Sequence, residues 1–277
     1  MNKNKLVSIV ITTKNEESVI ARLTSSIKQQ TYSDKEIILV DNNSTDKTVE
    51  IAKEMGISTF TQGPERSAQR NFGAKKATGD YLLFLDADMK LSSNVVKECV
   101  QICQSDKKIG AIVIPEQSIA SNFWEQVKAF ERSFYNEEGD EITDAARFFR
   151  KEAINKVGGY DEMITGPEDW DLPESVKKAG YNIGRTQSLI YHYEKINSPF
   201  DLAKKKFYYA LRAHRYLSKQ NISVLSPKTI YFLRPVFYKK FNKIITHPIL
   251  SLGMIVMLTI ELFWGGLGYL IGRIKRL

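Results

Sequence analysis

RSAQRNFGAKKATGDYLLFLDAD, residues 66 to 88, is the stretch that decides the fold. Arg66 to Ala77 reads as a helix, Tyr81 to Leu85 as a buried strand, and the strand stops abruptly on Asp86-Ala87-Asp88. At least one of those carboxylates must face a crevice and water, because burying two unpaired charges would be prohibitive. Upstream, the alternation of strand and helix recurs. Leu6 to Thr13 (LVSIVITT) is a β-branched run, and Val19, Ile20, Leu23 and Ile27 follow at helical spacing. Glu36 to Val40 (EIILV) reads as a second strand, ahead of capping side chains at Asn43 to Asp46 and a helix over Thr48 to Met55; Ile57 to Phe60 is a third strand. Strands alternating with helices predict right-handed crossovers and an α/β fold with a mainly parallel sheet. Such sheets take ligands beyond the carboxyl ends of their strands, which directs attention to Thr13 to Glu16, Asp41 to Asn43 and Asp86 to Asp88.

Downstream, the pattern predicts a helix over Asn94 to Gln104, a strand over Gly110 to Ile114 and a helix over Phe123 to Tyr135. Asn136 to Thr143 is acidic and turn-like, and Ala145 to Phe149 reads as a strand. GGYD at 158 to 161 leads to GPEDWD at 166 to 171, a loop feeding a helix that ends near Gly180; a strand over Ile183 to Ile190 and then His192 follow. Leu202 to Leu217 reads as one basic and aromatic helix, and Tyr231 to Lys243 has the same character. Ile249 to Gly272 holds 24 residues with one charge, Glu261. As a helix it would be roughly 36 Å long, enough for a tilted membrane crossing. A span is the favoured reading, with an in-plane segment or a buried core helix as alternatives. Arg234, Lys239, Lys240 and Lys243 precede it and Arg273, Lys275 and Arg276 follow it, so flanking charge does not orient it. The expected plan is a domain over 1–220 and a basic, aromatic, then hydrophobic segment over 221–277.

The chain has 277 residues, 43% hydrophobic and 26% charged, values that exclude a mainly disordered, collagen-like or polytopic membrane chain. The net charge of +8 concentrates beyond about residue 200, beside the apolar segment, and so points to a membrane surface and away from nucleic acid. Cys99 and Cys103 lie four apart on one helix, where a disulfide would be strained, and lack the partners of a zinc cluster. These features, with an N-terminus that has no signal-peptide core, place the folded domain on the cytoplasmic side of a cell membrane.

The chemistry-bearing residues are few. Asp86 and Asp88 suit a hard cation, Mg2+ or Mn2+, shared with substrate phosphate oxygens; a solvated turn is the plainer alternative. Asp41, at the end of EIILV, can accept from an imide N–H of a ligand or serve as a helix cap. Glu168-Asp169 precedes a helix, whose dipole keeps a carboxylate ionised and able to accept a proton, though capping alone would also explain it. His192 is a candidate ligand or an ordinary packed residue.

In their order, four blocks resemble the glycosyltransferase family 2 enzymes of GT-A fold: VSIVITTKNEE (7–17), ILVDNNSTDKT (38–48), residues 66–88, and GGYDEMITGPEDWDL (158–172). The resemblance covers roughly residues 6 to 195. It implies a Rossmann-like nucleotide-binding half joined without a sharp boundary to an acceptor-binding half, and inverting transfer from a nucleotide-sugar donor. By position it implies that Thr12, Thr13, Asn15, Glu16 and Asp41 line the nucleoside pocket, with Asp41 on the base. It gives Arg66, Arg70 and Asn71 to the donor, Asp86 and Asp88 to the metal and donor, His192 to the metal, and the role of catalytic base to Asp169. The processive QxxRW motif is missing, which favours single addition. UDP-sugar is the favoured donor, although guanine and thymine also present imide N–H groups. The expected acceptor is lipid-linked or an envelope glycan, with a soluble molecule or protein as the alternative. The rival classes are a noncatalytic nucleotide-sugar-binding scaffold, a nucleotidyltransferase, whose Gly-rich loop TTKNEE does not provide, and a nucleic-acid binder, which predicts salt-sensitive polyanion affinity.

Overall fold

The computed structural model describes residues 5–136 and 138–275; Met1 to Asn4, Glu137, Leu277 and the Arg276 of the trailing basic cluster lie outside the described residues. In chain order the elements are β1 (Val7–Thr13), α1 (Ile20–Lys28), β2 (Lys35–Asp41), α2 (Thr48–Glu54), β3 (Ser58–Thr61), α3 (Arg66–Lys76), β4 (Tyr81–Asp86), β5 (Met89–Leu91), α4 (Val95–Ser105) and β6 (Ile109–Val113). Then come β7 (Glu116–Ile119), α5 (Phe123–Arg132), β8 (Ala146–Arg150), α6 (Lys151–Val157), α7 (Glu168–Lys178), β9 (Asn182–Arg185), β10 (Ile190–Tyr193), α8 (Pro199–Ala210), α9 (Ala213–Gln220), a 3-10 turn at Tyr231–Leu233, α10 (Pro235–Lys239), α11 (Phe241–Thr246) and α12 (Pro248–Lys275). They form two compact units. The first takes the chain up to Pro115 with Ala145–Glu162 and Asp169–His192; the second takes Glu116–Asp144, Met163–Glu168 and everything from Tyr193 on.

The first unit is built on a seven-stranded sheet in the order β3-β2-β1-β4-β8-β6-β9. Its pairings are parallel except those of β8, which runs antiparallel to both β4 and β6. Alternate residues of each central strand enter separate cores, as the period of two requires: Ile9, Ile11, Leu83 and Leu85 on one face, Val10, Leu82 and Phe84 on the other. Each fully buried Ile, Leu or Phe there contributes about 1.5–3 kcal/mol. Helix α3 lies close on β1 because Gly73 has no Cβ; one added there would collide with the Val10 side chain.

The register sets the site. Thr12 pairs with Asp86 across β1 and β4, and Thr13 pairs with Asp41 across β1 and β2, so three strand ends are level.

Some sequence expectations change. The strand expected over Ile183 to Ile190 is two strands, β9 and β10, separated by a turn in which the Glu98 carboxylate accepts from the Gln187 and Ser188 amides at 2.6 and 2.9 Å. The single helix expected over Leu202 to Leu217 is α8 and α9, with Arg212 outside helical geometry between them (φ −111°, ψ 2°). His192 therefore sits inside a strand, where β10 runs antiparallel to β5 and pairs it with Met89.

In the second unit a capping box of Asn122 and Glu125 starts α5, and Ser198 with Asp201, followed by Pro199, starts α8. The core of this unit joins Val127, Phe130 and Phe134 to Leu202, Phe237, Met254, Met257 and Leu258. The chain contains one helix long and apolar enough to cross a membrane among the described residues, α12.

Candidate active site

The first unit gathers its polar residues at the level strand ends. Thr13 donates its hydroxyl to Asp41 at 2.8 Å, and Asp41 in turn accepts from the Ser44 amide at 2.7 Å and from the Ser44 hydroxyl. Asp41 is buried, and these bonds fix its carboxylate without an opposing cation among them. Asn15 adopts a left-handed backbone (φ 56°), which Asn tolerates, and its side chain accepts from the Thr45 amide at 2.8 Å. The Glu16 amide donates to Thr48 at 2.7 Å. The loops after β1 and β2 are thus joined to each other, and Asn15 spends its oxygen on that junction.

Behind them stands Gln69, a residue the sequence reading passed over. Its amide donates to the carbonyls of Thr13 and Val40, at 3.0 and 2.7 Å, and so ties the ends of β1 and β2 to α3.

One helical turn of α3 then presents Arg70. Its guanidinium is fully buried and forks between two acids, donating from Nη2 to Asp86 Oδ1 at 3.0 Å and from Nη1 to Asp169 Oδ1. The ring of Tyr160 lies 5.2 Å from the guanidinium carbon, a cation–π contact that braces the fork. Asp169 is in the first turn of α7. Arg147, on the antiparallel β8, reaches the second oxygen of Asp86 at 3.4 Å. Burial alone would push the Asp86 carboxyl upward; the cations Arg70, Arg147 and Arg66, with His192, together hold it well below the usual carboxylate range.

Asn71, placed with the donor-facing residues by resemblance, hydrogen-bonds the turn after α6. It brackets Tyr160, donating to its carbonyl and accepting from its amide at 2.9 Å each, and donates to Glu162 at 2.9 Å. Gly159 (φ +83°) permits this, since a Cβ there would stand 2.7 Å from the Asn71 oxygen.

Asp88 follows one residue beyond Asp86, and its Oδ2 lies 3.4 Å from His192 Nε2. Among the described residues no three His, Cys, Asp or Glu side chains are grouped as a ready-made metal cage. A carboxylate and an imidazole on neighbouring elements nevertheless fit Mn2+ or Mg2+ that takes its remaining ligands from diphosphate and water, the usual habit of these ions. What the rim offers is therefore two acids joined by one buried arginine, a third acid facing a histidine, and a fourth, Asp41, held by two hydroxyls and a backbone amide.

Comparison with known proteins adds the following. The model of the family described as "Glycosyl transferase family 2" matches residues 8–158. Beta-monoglucosyldiacylglycerol synthase of Nostoc sp. (strain PCC 7120 / SAG 25.82 / UTEX 2576) is 30% identical over 192 residues, covering 60% of this chain and 40% of that protein. Succinoglycan biosynthesis protein ExoA of Rhizobium meliloti (strain 1021) is 27% identical over 220 residues, covering 69% of this chain and 66% of its own. The chain thus spans about two fifths of the length of the diacylglycerol synthase it matches. Among solved structures, mannosyltransferase PcManGT from Pyrobaculum calidifontis, in complex with GDP-Man and Mn2+, has a TM-score of 0.61 at 16% identity, covering 93% of this chain and 75% of that one. S. aureus TarS 1-349 in complex with UDP has a TM-score of 0.58 at 14% identity, covering 98% and 92%.

Proposed function

The chain belongs to glycosyl transferase family 2, and we propose that it moves one sugar, with inversion, from a nucleotide-sugar donor to a hydroxyl of a lipid-linked or envelope-glycan acceptor. The observation that carries this reading is the buried Arg70 fork, which sets an acid of the DxD pair and the family's candidate base on one rim. UDP-sugar leads as donor because Asp41, held by Thr13 and Ser44, is an acceptor suited to a uracil imide. The lipid or glycan acceptor is supported by two relatives, a beta-monoglucosyldiacylglycerol synthase and a succinoglycan biosynthesis protein. In this reading residues 1–220 carry catalysis on the cytoplasmic side of a cell membrane, and 221–277 attach it there.

Asp88 and His192 would hold Mn2+ or Mg2+, supported by the manganese in the mannosyltransferase complex. A divalent ion held there would supply charge neutralisation for a leaving diphosphate. Asp86, Arg66 and Arg147 orient the donor's polar part, and Arg70 holds Oδ1 of Asp169 so that the other oxygen is offered to the acceptor hydroxyl. Asp169 takes that proton as the acceptor oxygen attacks the anomeric carbon from the face opposite the leaving group, a single displacement.

The test pairs Asp169→Asn with a panel of radiolabelled UDP-, GDP- and dTDP-sugars, with membranes as acceptor source. Transfer should fall by about 10²–10⁴-fold while the thermal shift induced by nucleoside diphosphate persists. Equal turnover by Asp169→Asn and the parent would remove the base; label confined to water-soluble products would remove the lipid acceptor.

A further inference from the structure

From Leu202 to Lys275 the chain carries thirteen Lys or Arg and a single acidic residue, Glu261. That carboxylate is on the inward face of α12, 3.3 Å from Lys128 of α5 and 3.2 Å from Lys206 of α8. The outward face is the apolar one. Ile249, Leu252, Ile255, Phe263, Leu270 and Ile274 recur at helical spacing with 49% to 80% of their surface open. A helix on a water-facing surface has the opposite polarity, apolar inward and charged outward. The exposed apolar belt also continues ahead of α12 through Tyr238, Phe241 and Ile245.

We propose that α12 lies in the plane of an anionic membrane surface, docked by its inner face on α5 and α8 and sunk by its outer face into the acyl boundary, without crossing the bilayer. This refines the membrane attachment of the preceding reading and rests on it.

The docking runs along most of the helix. Gly253 abuts Val127, and Gly268 and Gly272 abut the carbonyls of Phe207 and Leu211, where any Cβ would collide. Between the outermost of these glycines are 19 residues of rise, about 28 Å, nearly a hydrocarbon thickness. A crossing that kept these contacts would draw α8, with exposed Asp201, Lys204 and Lys205, into hydrocarbon. A crossing that broke them would leave Glu261 in lipid without its two lysines, while Lys128 would keep Glu131 of its own helix. Lying in the plane avoids both. The excess of cations selects the occupant: it attracts anionic headgroups, whereas a second copy would set like charge against like charge.

The experiment uses the full chain. Asn242→Cys and Lys275→Cys, at the two ends of the segment, are exposed to an impermeant maleimide in inverted bacterial membrane vesicles; native Cys99 and Cys103 are buried. Both ends should label from the cytoplasmic face. In parallel, the parent should float with phosphatidylglycerol–phosphatidylcholine vesicles, and Leu252→Glu/Phe263→Glu should weaken that partition by at least about tenfold with an unchanged urea midpoint. Labelling of the two ends from opposite faces overturns the in-plane placement and leaves membrane attachment standing. Failure of the parent to float, or concentration-dependent dimers with no vesicle binding, overturns both. Undiminished flotation of the double variant overturns the embedded outer face.

Discussion

Arg70→Met removes the guanidinium and keeps most of the side chain's apolar length, so it isolates the fork between Asp86 and Asp169. Removing one partner of a buried ion pair costs about 3–5 kcal/mol, because the charge left behind has lost both water and its counter-ion. Here the two carboxylates retain 19% and 23% of their side-chain surface, and water reaching them offsets part of that loss. The expected destabilisation is therefore about 2–3 kcal/mol at pH 7, equivalent to a fall in Tm of roughly 3–5 °C for a chain of this size. The pH dependence supplies the signature. Burial raises the Asp86 carboxyl, and Arg70 is the strongest of the cations that outweigh it. In the parent the depressed carboxyl contributes stability that is fully present above the unfolded value, near about 3.9, and is lost as pH falls through the lower folded value. Without Arg70 that contribution shrinks, so the difference between variant and parent should be largest at neutral pH and narrow below about pH 4. Urea denaturation followed by tryptophan fluorescence at pH 7 and at about pH 3.5 measures both. A difference under about 0.5 kcal/mol at pH 7, or the same difference at both pH values, would refute the charge-bridge account.

Three further outcomes are expected. Asp88→Ala should abolish the extra thermal stabilisation that Mn2+ adds to a nucleoside diphosphate and leave the stabilisation by nucleotide alone; an unchanged manganese increment removes Asp88 from the cation. Gly73→Ala should destabilise by about 1–3 kcal/mol through collision with Val10, read as a lower urea midpoint with an unchanged slope. Cys99 and Cys103 are both buried and both raised, Cys103 to about 12, by burial, which outweighs the nearby Arg150 cation in the latter. Maleimide at pH 8 should therefore modify them only at the rate of unfolding, and prompt labelling of native protein would contradict their packing.

The strand ends were legible in the sequence because a parallel sheet enforces a rule: an apolar run must stop where its chain leaves the sheet, and the next polar residue meets water. That places Thr13, Asp41 and Asp86 from local pattern alone, and the register of β1 with its two neighbours then brings them level. Arg147 and Gln69 escape the same reading. Arg147 reaches Asp86 only because β8 runs antiparallel beside β4, a pairing across 61 residues that no local period encodes. A cation inside the apolar run ARFFR was the available signal, since a charge in a buried strand needs a partner. Asn71 shows a different gap: one position beyond Arg70 on α3, it hydrogen-bonds the turn at Gly159 and Tyr160, a partner that lies 89 residues away and that no local period encodes.

The same distinction governs α12. Composition registers 24 residues with one charge and cannot say which stripe meets protein, because periodicity groups residues into faces without assigning partners to them. Read alone, Glu261 and the Gly-rich end weaken the case for a crossing; their partners give them a common purpose. The acid meets Lys128 and Lys206, and Gly268 and Gly272 admit the backbone at Phe207 and Leu211, so these three lie on the stripe turned toward protein. The exposed surface between its ends is mainly apolar, carried by Leu252, Ile255, Phe263 and Leu270. A helix so arranged is matched on one side to its own fold and on the other to lipid, and neither demand can be read from hydropathy averaged around its axis.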